Sequence, residues 1–187
     1  MYIEYRGKRP RVARSAFVAP TAVLIGDVEI GEHSSIWFGT VLRADNGPIR
    51  VGERTSIQDN SVIHVSVGDQ TVIGSDVTIG HCVHMEDCTI GDGSLIGSNA
   101  VVLNGAKVGP RSLVGAGSVV AANAVIPPEV VAAGAPAKVK KPLEGASVGW
   151  LEKAGPEYVH LSRSYLQHGI GDPEMHEIIE TPAEAGR

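Results

Sequence analysis

Residues 90–126 have the sequence IGDGSLIGSNAVVLNGAKVGPRSLVGAGSVVAANAVI, and this stretch decides the fold. An aliphatic residue returns at every sixth position without a slip: Ile90, Ile96, Val102, Val108, Val114, Val120 and Ile126. A period of six would put successive aliphatic side chains on different faces of an α-helix, so it excludes an amphipathic helix. Short strands joined by corners fit the period, because three such units make one triangular coil of about 18 residues. The stretch therefore predicts a parallel β-helix with one inward aliphatic side chain per unit.

The same spacing extends toward the N-terminus. Further aliphatic residues keep the step of six or nearly so, with the loops 44–50 and 65–70 between the runs: Ile25, Ile30, Ile36, Leu42, Ile57, Ile63, Ile73, Ile79 and Met85. Coils stacked at roughly 4.8 Å would bury these residues in columns that no single coil could bury alone. We expect a mainly β fold, with the β-helix in residues 1–140 and its regular part from about Phe17 to Lys138.

Aromatic residues are absent from a long central segment. Between Gly39 and Gly149 there is no Phe, Tyr or Trp. Globular cores normally use aromatic side chains for bulk burial. Their absence predicts a narrow interior filled by small aliphatic side chains, which is typical of a solenoid.

The C-terminal part changes character after the repeats. Six apolar residues lie near one helical face and predict a helix within residues 141–168, from about Ser147 to His168, packed outside the coil: Trp150, Leu151, Ala154, Tyr158, Leu161 and Tyr165. Pro156 should break or kink this helix. Residues 169–187 are acidic and contain two prolines, so we expect a disordered tail.

Charge and hydropathy exclude several classes of protein. The 187 residues include 16 Lys and Arg against 21 Asp and Glu, and the net charge of −5 argues against a nucleic-acid binder or a basic membrane-surface protein. No run of 18 apolar residues is free of Gly, Asn or Pro, so no membrane-spanning helix is predicted. The first residues carry no apolar segment typical of a secretion signal. We expect a cytoplasmic protein.

Three of the seven histidines lie within 21 residues of one another. His64 follows the inward Ile63 and His84 precedes the inward Met85, so both should project outward, while His81 lies at a corner. Outward imidazoles on neighbouring coils can share a metal ion at about 2.0 to 2.1 Å from each nitrogen. Solvated surface histidines are the alternative.

Four motifs give the chain a family resemblance: VLRAD at 41–45, SIQDNSVIH at 56–64, VTIGH at 77–81 and GAPAK at 134–138. In order and spacing, residues 8–168 resemble the γ-class carbonic anhydrases. The resemblance implies a left-handed coil and a homotrimer. It also implies a zinc, iron or cobalt ion held between neighbouring subunits by three histidines, two from one chain and one from the next. His64 and His81 match the first two ligand positions.

The third ligand departs from the family pattern. The family's third histidine comes five residues after the second, where this chain has Glu86, and a histidine stands instead at His84. Glu86 would complete a two-histidine, one-glutamate set of a kind known in zinc hydrolases. His84 projects to the same side of its strand as Glu86. His84 is preferred at this point, because three neutral imidazoles keep the metal more electrophilic.

The resemblance also implies a mechanism and its residues. A divalent ion lowers the pKa of its bound water to about 7, and the resulting hydroxide attacks CO2 to give bicarbonate. Gln58 matches the residue that orients this water, with Asp59 beside it, and Tyr158 matches a tyrosine near the metal, although core packing is its alternative role. Arg43 and Asp45 match residues that pair at the subunit interface, where the alternative is an ordinary surface ion pair.

Two other classes of function stay open. One is a metal-binding, non-catalytic scaffold, which fits the altered third ligand. The short loop after His64 also lacks a glutamate that could carry protons to solvent, so hydration activity could be weak or absent. The other is a hexapeptide acyltransferase, in which an interface histidine acts as general base and acyl-coenzyme A is the donor. The acyltransferase predicts coenzyme A binding without a metal.

Overall fold

The structure is a computed structural model that describes residues 1–171 and the strand at 178–179. In these residues the chain forms short strands followed by one helix. The strands are β1 (Tyr2–Ile3), β2 (Arg11–Val12), β3 (Phe17–Val18), β4 (Val23–Ile30), β5 (Ser35–Ile36), β6 (Val41–Val51), β7 (Ser56–Ile57), β8 (Val62–His64), β9 (Thr71–Ile73), β10 (Thr78–Ile79), β11 (His84–Glu86), β12 (Thr89–Ile90), β13 (Leu95–Ile96), β14 (Val101–Val102), β15 (Lys107–Val108), β16 (Leu113–Val114), β17 (Val119–Val120), β18 (Val125–Ile126), β19 (Val130–Ala133) and β20 (Lys138–Pro142). The helix α1 (Ala146–Gln167) and the strand β21 (Ile178–Ile179) follow.

The strands stack into the three faces of a parallel β-helix, as predicted. Face 1 contains β3, β5, β7, β10, β13, β16 and β19. Face 2 contains residues 23–26 and 41–44, followed by β8, β11, β14 and β17. Face 3 contains β2, residues 28–30 and 49–51, and then β9, β12, β15 and β18. The loop predicted at 44–50 is therefore part of a continuous strand, because β6 turns the corner between faces 2 and 3.

The inward side chains form three aligned columns, one behind each face. Ile57, Ile79 and Ile96 are direct neighbours on face 1. The complete columns are at most 4% exposed: Val18, Ile36, Ile57, Ile79, Ile96, Val114 and Ala132; Leu24, Leu42, Ile63, Met85, Val102 and Val120; Ile30, Val51, Ile73, Ile90, Val108 and Ile126. One predicted member is wrong, because Leu24 rather than Ile25 pairs with Leu42 and is buried.

Glycine allows neighbouring coils to approach closely at some corners. A Cβ atom at Gly52 would lie 2.6 Å from the carbonyl carbon of Gly74, which no real side chain tolerates. Gly52 is therefore required by contact with the next coil.

The helix α1 lies along face 1 and carries aromatic residues onto it. Tyr158 packs on Trp37 with ring centroids 5.3 Å apart, and Tyr165 packs on Phe17 at 5.4 Å. The Trp37 indole N–H is shared by Ser35 Oγ and Ser56 Oγ, each at 3.0 Å. The predicted C-terminal helix is thus present, and it continues through Pro156 without a break.

Both ends of the coil stack carry additional strands. At one end β1 pairs with β4 and with β21, where Tyr2 lies opposite Ile178. At the other end β20 pairs antiparallel with β19. The disordered tail predicted for 169–187 lies largely outside the described residues. Among those that are described, no helix is both long enough and apolar enough to cross a membrane.

Candidate metal centre

Strand pairing on face 2 places Arg43, His64 and Glu86 side by side on three successive coils. Each follows a buried inward residue, so each side chain points outward. Neighbouring coils are only about 4.8 Å apart, which brings adjacent outward side chains into contact. The register alone therefore creates a polar cluster at the edge where face 2 meets face 3.

His64 lies between two carboxylates in this cluster. Its Nδ1 is 3.0 Å from Glu86 Oε1, and its Nε2 is 3.3 Å from Asp45 Oδ1. A neutral imidazole carries one N–H and can donate to only one of them. A cation shared by the other ring nitrogen and its carboxylate would satisfy both contacts, so the donor set fits a divalent metal ion.

Asp45 is held by Arg43, whose Nη1 donates to Asp45 Oδ2 at 2.5 Å. Burial raises the pKa of Asp45, but the hydrogen bond and the charge of Arg43 lower it by more, with a smaller contribution from His64. The net pKa lies below its ordinary value. Asp45 therefore remains a carboxylate beside His64, and its pairing with Arg43 lies within one chain.

The structure brings Glu86, and not His84, next to His64. His84 pairs with Val62 and Val101. Two residues along a strand correspond to about 6.6 to 6.8 Å, which separates the His84 position from that of Glu86. Within one chain, the register thus makes Glu86 rather than His84 the neighbour of His64.

His81 lies apart from His64, at the corner where face 1 meets face 2. Its Nδ1 is 2.8 Å from Asp59 Oδ2, and its side chain is 48% exposed. Within the part of the chain that the structure describes, no three His, Cys, Asp or Glu side chains are close enough to hold one ion. His64 and His81 thus occupy opposite edges of face 2.

A cleft of about 670 Å³ between α1 and face 1 contains three of the predicted site residues: Gln58, His81 and Tyr158. Gln58 is 5% exposed and belongs to the wall on face 1. Burial raises the pKa of Tyr158, and the carboxylates of Asp59 and Glu157 raise it further. The phenol therefore stays neutral and able to donate a hydrogen bond.

Sequence reasoning missed an outward apolar column on face 2. Val41, Val62, Val101 and Val119 lie in register with His84 and fill the surface between the two edges. Val62 is 38% exposed. The signal was present in the sequence, since each of these valines directly precedes an inward aliphatic residue where a polar side chain is expected.

Comparison with known proteins gives consistent matches. A family described as bacterial transferase hexapeptide (six repeats) matches residues 87–122. The chain is 41% identical over 165 residues to a carbonic anhydrase of Geobacillus kaustophilus, covering 88% of this chain and 91% of that protein. It is 37% identical to the mitochondrial gamma carbonic anhydrase 2 of Arabidopsis thaliana, covering 91% of this chain and 64% of that protein. The crystal structure of a putative acetyltransferase from Bacillus cereus matches with a TM-score of 0.88 at 38% identity, covering 90% of this chain and 98% of that one.

Proposed function

The chain belongs to the γ-class carbonic anhydrase family, and on that premise we propose that it binds a divalent metal ion between subunits of a homotrimer and catalyses the reversible hydration of CO2 to bicarbonate. The observation that carries the proposal is the contact between His64 Nδ1 and Glu86 Oε1 at 3.0 Å. Two ligand atoms that each lie about 2.1 Å from one ion are about 3.0 to 3.4 Å apart when they occupy adjacent positions of an octahedral or a tetrahedral set.

The ligand set that we propose is His64 and Glu86 of one subunit with His81 of its neighbour. Asp59 accepts a hydrogen bond from His81 Nδ1, which leaves Nε2 available to a metal ion. His81 is exposed at one edge of face 2, and His64 lies at the opposite edge. Two imidazoles and a carboxylate suit zinc, and also iron or cobalt.

The apolar column on face 2 supports the trimer. A stripe of outward valines between the two polar edges would be covered by a neighbouring subunit. A closed ring of three subunits would then pair one chain's His81 edge with the next chain's His64 edge, in a head-to-tail contact that closes.

The chain's own residues have separate tasks in this reaction. When bound, the ion supplies the acidity that makes water a nucleophile near neutral pH. Gln58 lines the cleft that also contains His81, and in this proposal its amide orients water or CO2. Asp45, kept charged by Arg43, accepts a hydrogen bond from His64 Nε2 and fixes that ring. Tyr158, kept neutral, can donate a hydrogen bond to bicarbonate.

An acyltransferase is the second candidate. The similar Bacillus cereus structure is described as a putative acetyltransferase, and His81 with Asp59 at its Nδ1 is an arrangement suited to a general base in a cleft. The two functions differ in their cofactor, because the acyltransferase needs acetyl-coenzyme A and no metal.

One preparation of the purified protein tests the proposal. Metal analysis should find about one divalent ion per subunit, and stopped-flow CO2 hydration should be lost on chelation and restored by the ion. Light scattering should give a trimer. A metal-free protein that binds acetyl-coenzyme A would support the acyltransferase, and a metal-loaded protein without hydration activity would support the scaffold.

A further inference from the structure

The loop 65–70, which follows His64, is fastened to the next coil by Asp87. Asp87 Oδ1 accepts a hydrogen bond from the Ser66 backbone N–H at 2.7 Å. Asp87 Oδ2 accepts another from Asn104 Nδ2 at 2.6 Å. The Asp87 residue is only 4% exposed. This buried carboxylate therefore ties together three successive coils.

The backbone of Asp87 turns its side chain toward these partners. Its φ of 47° is in the left-handed region, which Asp tolerates better than most residues. The Gly105 N–H donates to the Asp87 carbonyl oxygen at 2.7 Å. The strand therefore ends at Glu86, whose side chain points outward, and the backbone turns at Asp87. Asp87 is fixed through both its backbone and its side chain.

Ser66 connects this anchor to the candidate metal centre. The Ser66 hydroxyl donates to Glu86 Oε1 at 3.1 Å. The same oxygen lies 3.0 Å from His64 Nδ1. The rotamer of Glu86 is therefore set by a hydroxyl whose own position depends on the hydrogen bond between its backbone and Asp87.

We propose that Asp87 is a positioning residue for the metal centre, which holds Ser66 so that its hydroxyl directs Glu86 toward His64. This inference rests on the proposed function, in which Glu86 is a ligand. Asp87 itself does not touch the ion. Glutamate loses rotamer freedom when it is fixed, so a ligand that is already held in place binds with a smaller entropic cost.

The test is the affinity of the metal-free protein for Zn²⁺ alone, measured by competition with a chromophoric chelator. Asp87→Ala should weaken the affinity by about 10- to 100-fold, the usual cost of removing such support. Ser66→Ala should weaken it too, whereas Ser66→Thr keeps the hydroxyl and should remain close to wild type. If Asp87 acts through Ser66, the double variant Asp87→Ala with Ser66→Ala should bind no more weakly than Ser66→Ala alone.

Two matched variants show whether the effect of Asp87→Ala comes from lost hydrogen bonds, from lost negative charge or from general destabilisation of the coil. Asp87→Asn can accept from the Ser66 N–H and donate to Asn104 once the Asn104 amide turns over, so it should bind Zn²⁺ close to wild type. Asp92→Ala removes a similar carboxylate, whose Oδ1 accepts from the Ser75 N–H at 2.8 Å, and should leave the affinity unchanged. If Asp87→Asn binds as weakly as Asp87→Ala, or if the two alanine changes add, the positioning role is overturned.

The Glu86→Ala variant separates a failure of the proposed metal centre from a failure of the positioning role of Asp87. Wild-type affinity in Glu86→Ala would show that Glu86 is no ligand, and the proposed metal centre would fail together with its support. Loss of affinity in Glu86→Ala combined with wild-type affinity in Asp87→Ala and Ser66→Ala would overturn only the positioning role. If Asp87→Ala does not fold, Ser66→Ala against Ser66→Thr decides the same question.

Discussion

His81 Nδ1 lies 2.8 Å from Asp59 Oδ2, across a corner of two adjoining coils. The other oxygen of Asp59 accepts the Phe38 N–H at 3.2 Å, and the Cys82 N–H donates to the Asp59 backbone oxygen at 2.9 Å. Asp59 is thus itself fixed from the coil on either side, through its carboxylate by Phe38 and through its backbone by Cys82.

Replacing this carboxylate should weaken metal binding without touching the ion. Asp59→Ala frees the His81 ring, and the affinity for Zn²⁺ should fall by about 10- to 100-fold. Equilibrium competition with a chelator measures the change. Asp76→Ala is the control, since Asp76 is a corner carboxylate that pairs with Arg54. Equal losses in both variants would contradict a specific role for Asp59.

Mixed trimers should show that the metal centre is shared between chains. The His81→Ala and Glu86→Ala chains are co-expressed with different tags. Purification through both tags then selects trimers that contain at least one chain of each variant. If His81 serves the neighbour's site, one boundary in every mixed trimer keeps a complete ligand set, so metal analysis should find roughly one ion per trimer. Each variant alone should hold none. No metal in the mixed trimers would place all ligands in one chain.

His84 and Glu86 should differ sharply when each is replaced by alanine. Glu86 contacts His64, whereas His84 is aligned with Val62 two residues away, so Glu86→Ala should lose metal and His84→Ala should keep it. Metal content after dialysis measures both. The reverse result would restore His84 as the third ligand.

Stability should depend on the inward columns rather than on the metal. Ile96 is fully buried between Ile79 and Val114, so Ile96→Ala should cost about 2 to 5 kcal/mol of unfolding free energy. Val125→Ala, at a position that is 68% exposed, should cost little. Chemical denaturation of metal-free protein measures both, and similar costs for the two changes would contradict the triangular core.

Cys88 should couple stability to pH. Burial, and then the charge of Asp87, raise the pKa of its thiol from 9.0 to about 12. The stability that this thiol contributes is full below pH 9 and is lost as pH rises toward 12, because the unfolded chain releases its proton first. The urea midpoint should therefore fall more steeply above pH 9 in wild type than in Cys88→Ala. A thiol reagent should modify only the exposed Cys82 at pH 8 before unfolding.

The period of six predicts the core but leaves the outward register open. Inward positions repeat regardless of loops, which is why Ile90 to Ile126 were correctly predicted. The partner of His64 depends instead on the length of the coil between them. The loop 65–70 lengthens that coil, so His64 pairs with Glu86 at a distance of 22 residues, while Ile73 pairs with Ile90 only 17 residues on. Ser66 and Asp87 carried no sequence signal, because their contacts also depend on that loop.

The strand β20 determines how the stack ends. Parallel coils expose a row of free backbone groups that could continue from one molecule into the next as a filament. Here the last coil pairs with an antiparallel strand, and antiparallel pairing stops the propagation of the parallel register. That strand carries three exposed lysines, Lys138, Lys140 and Lys141, and ends at Pro142, features that discourage edge-to-edge addition. A molecule built from a repeat that could extend without limit thus has a built-in barrier to fibril growth at this end.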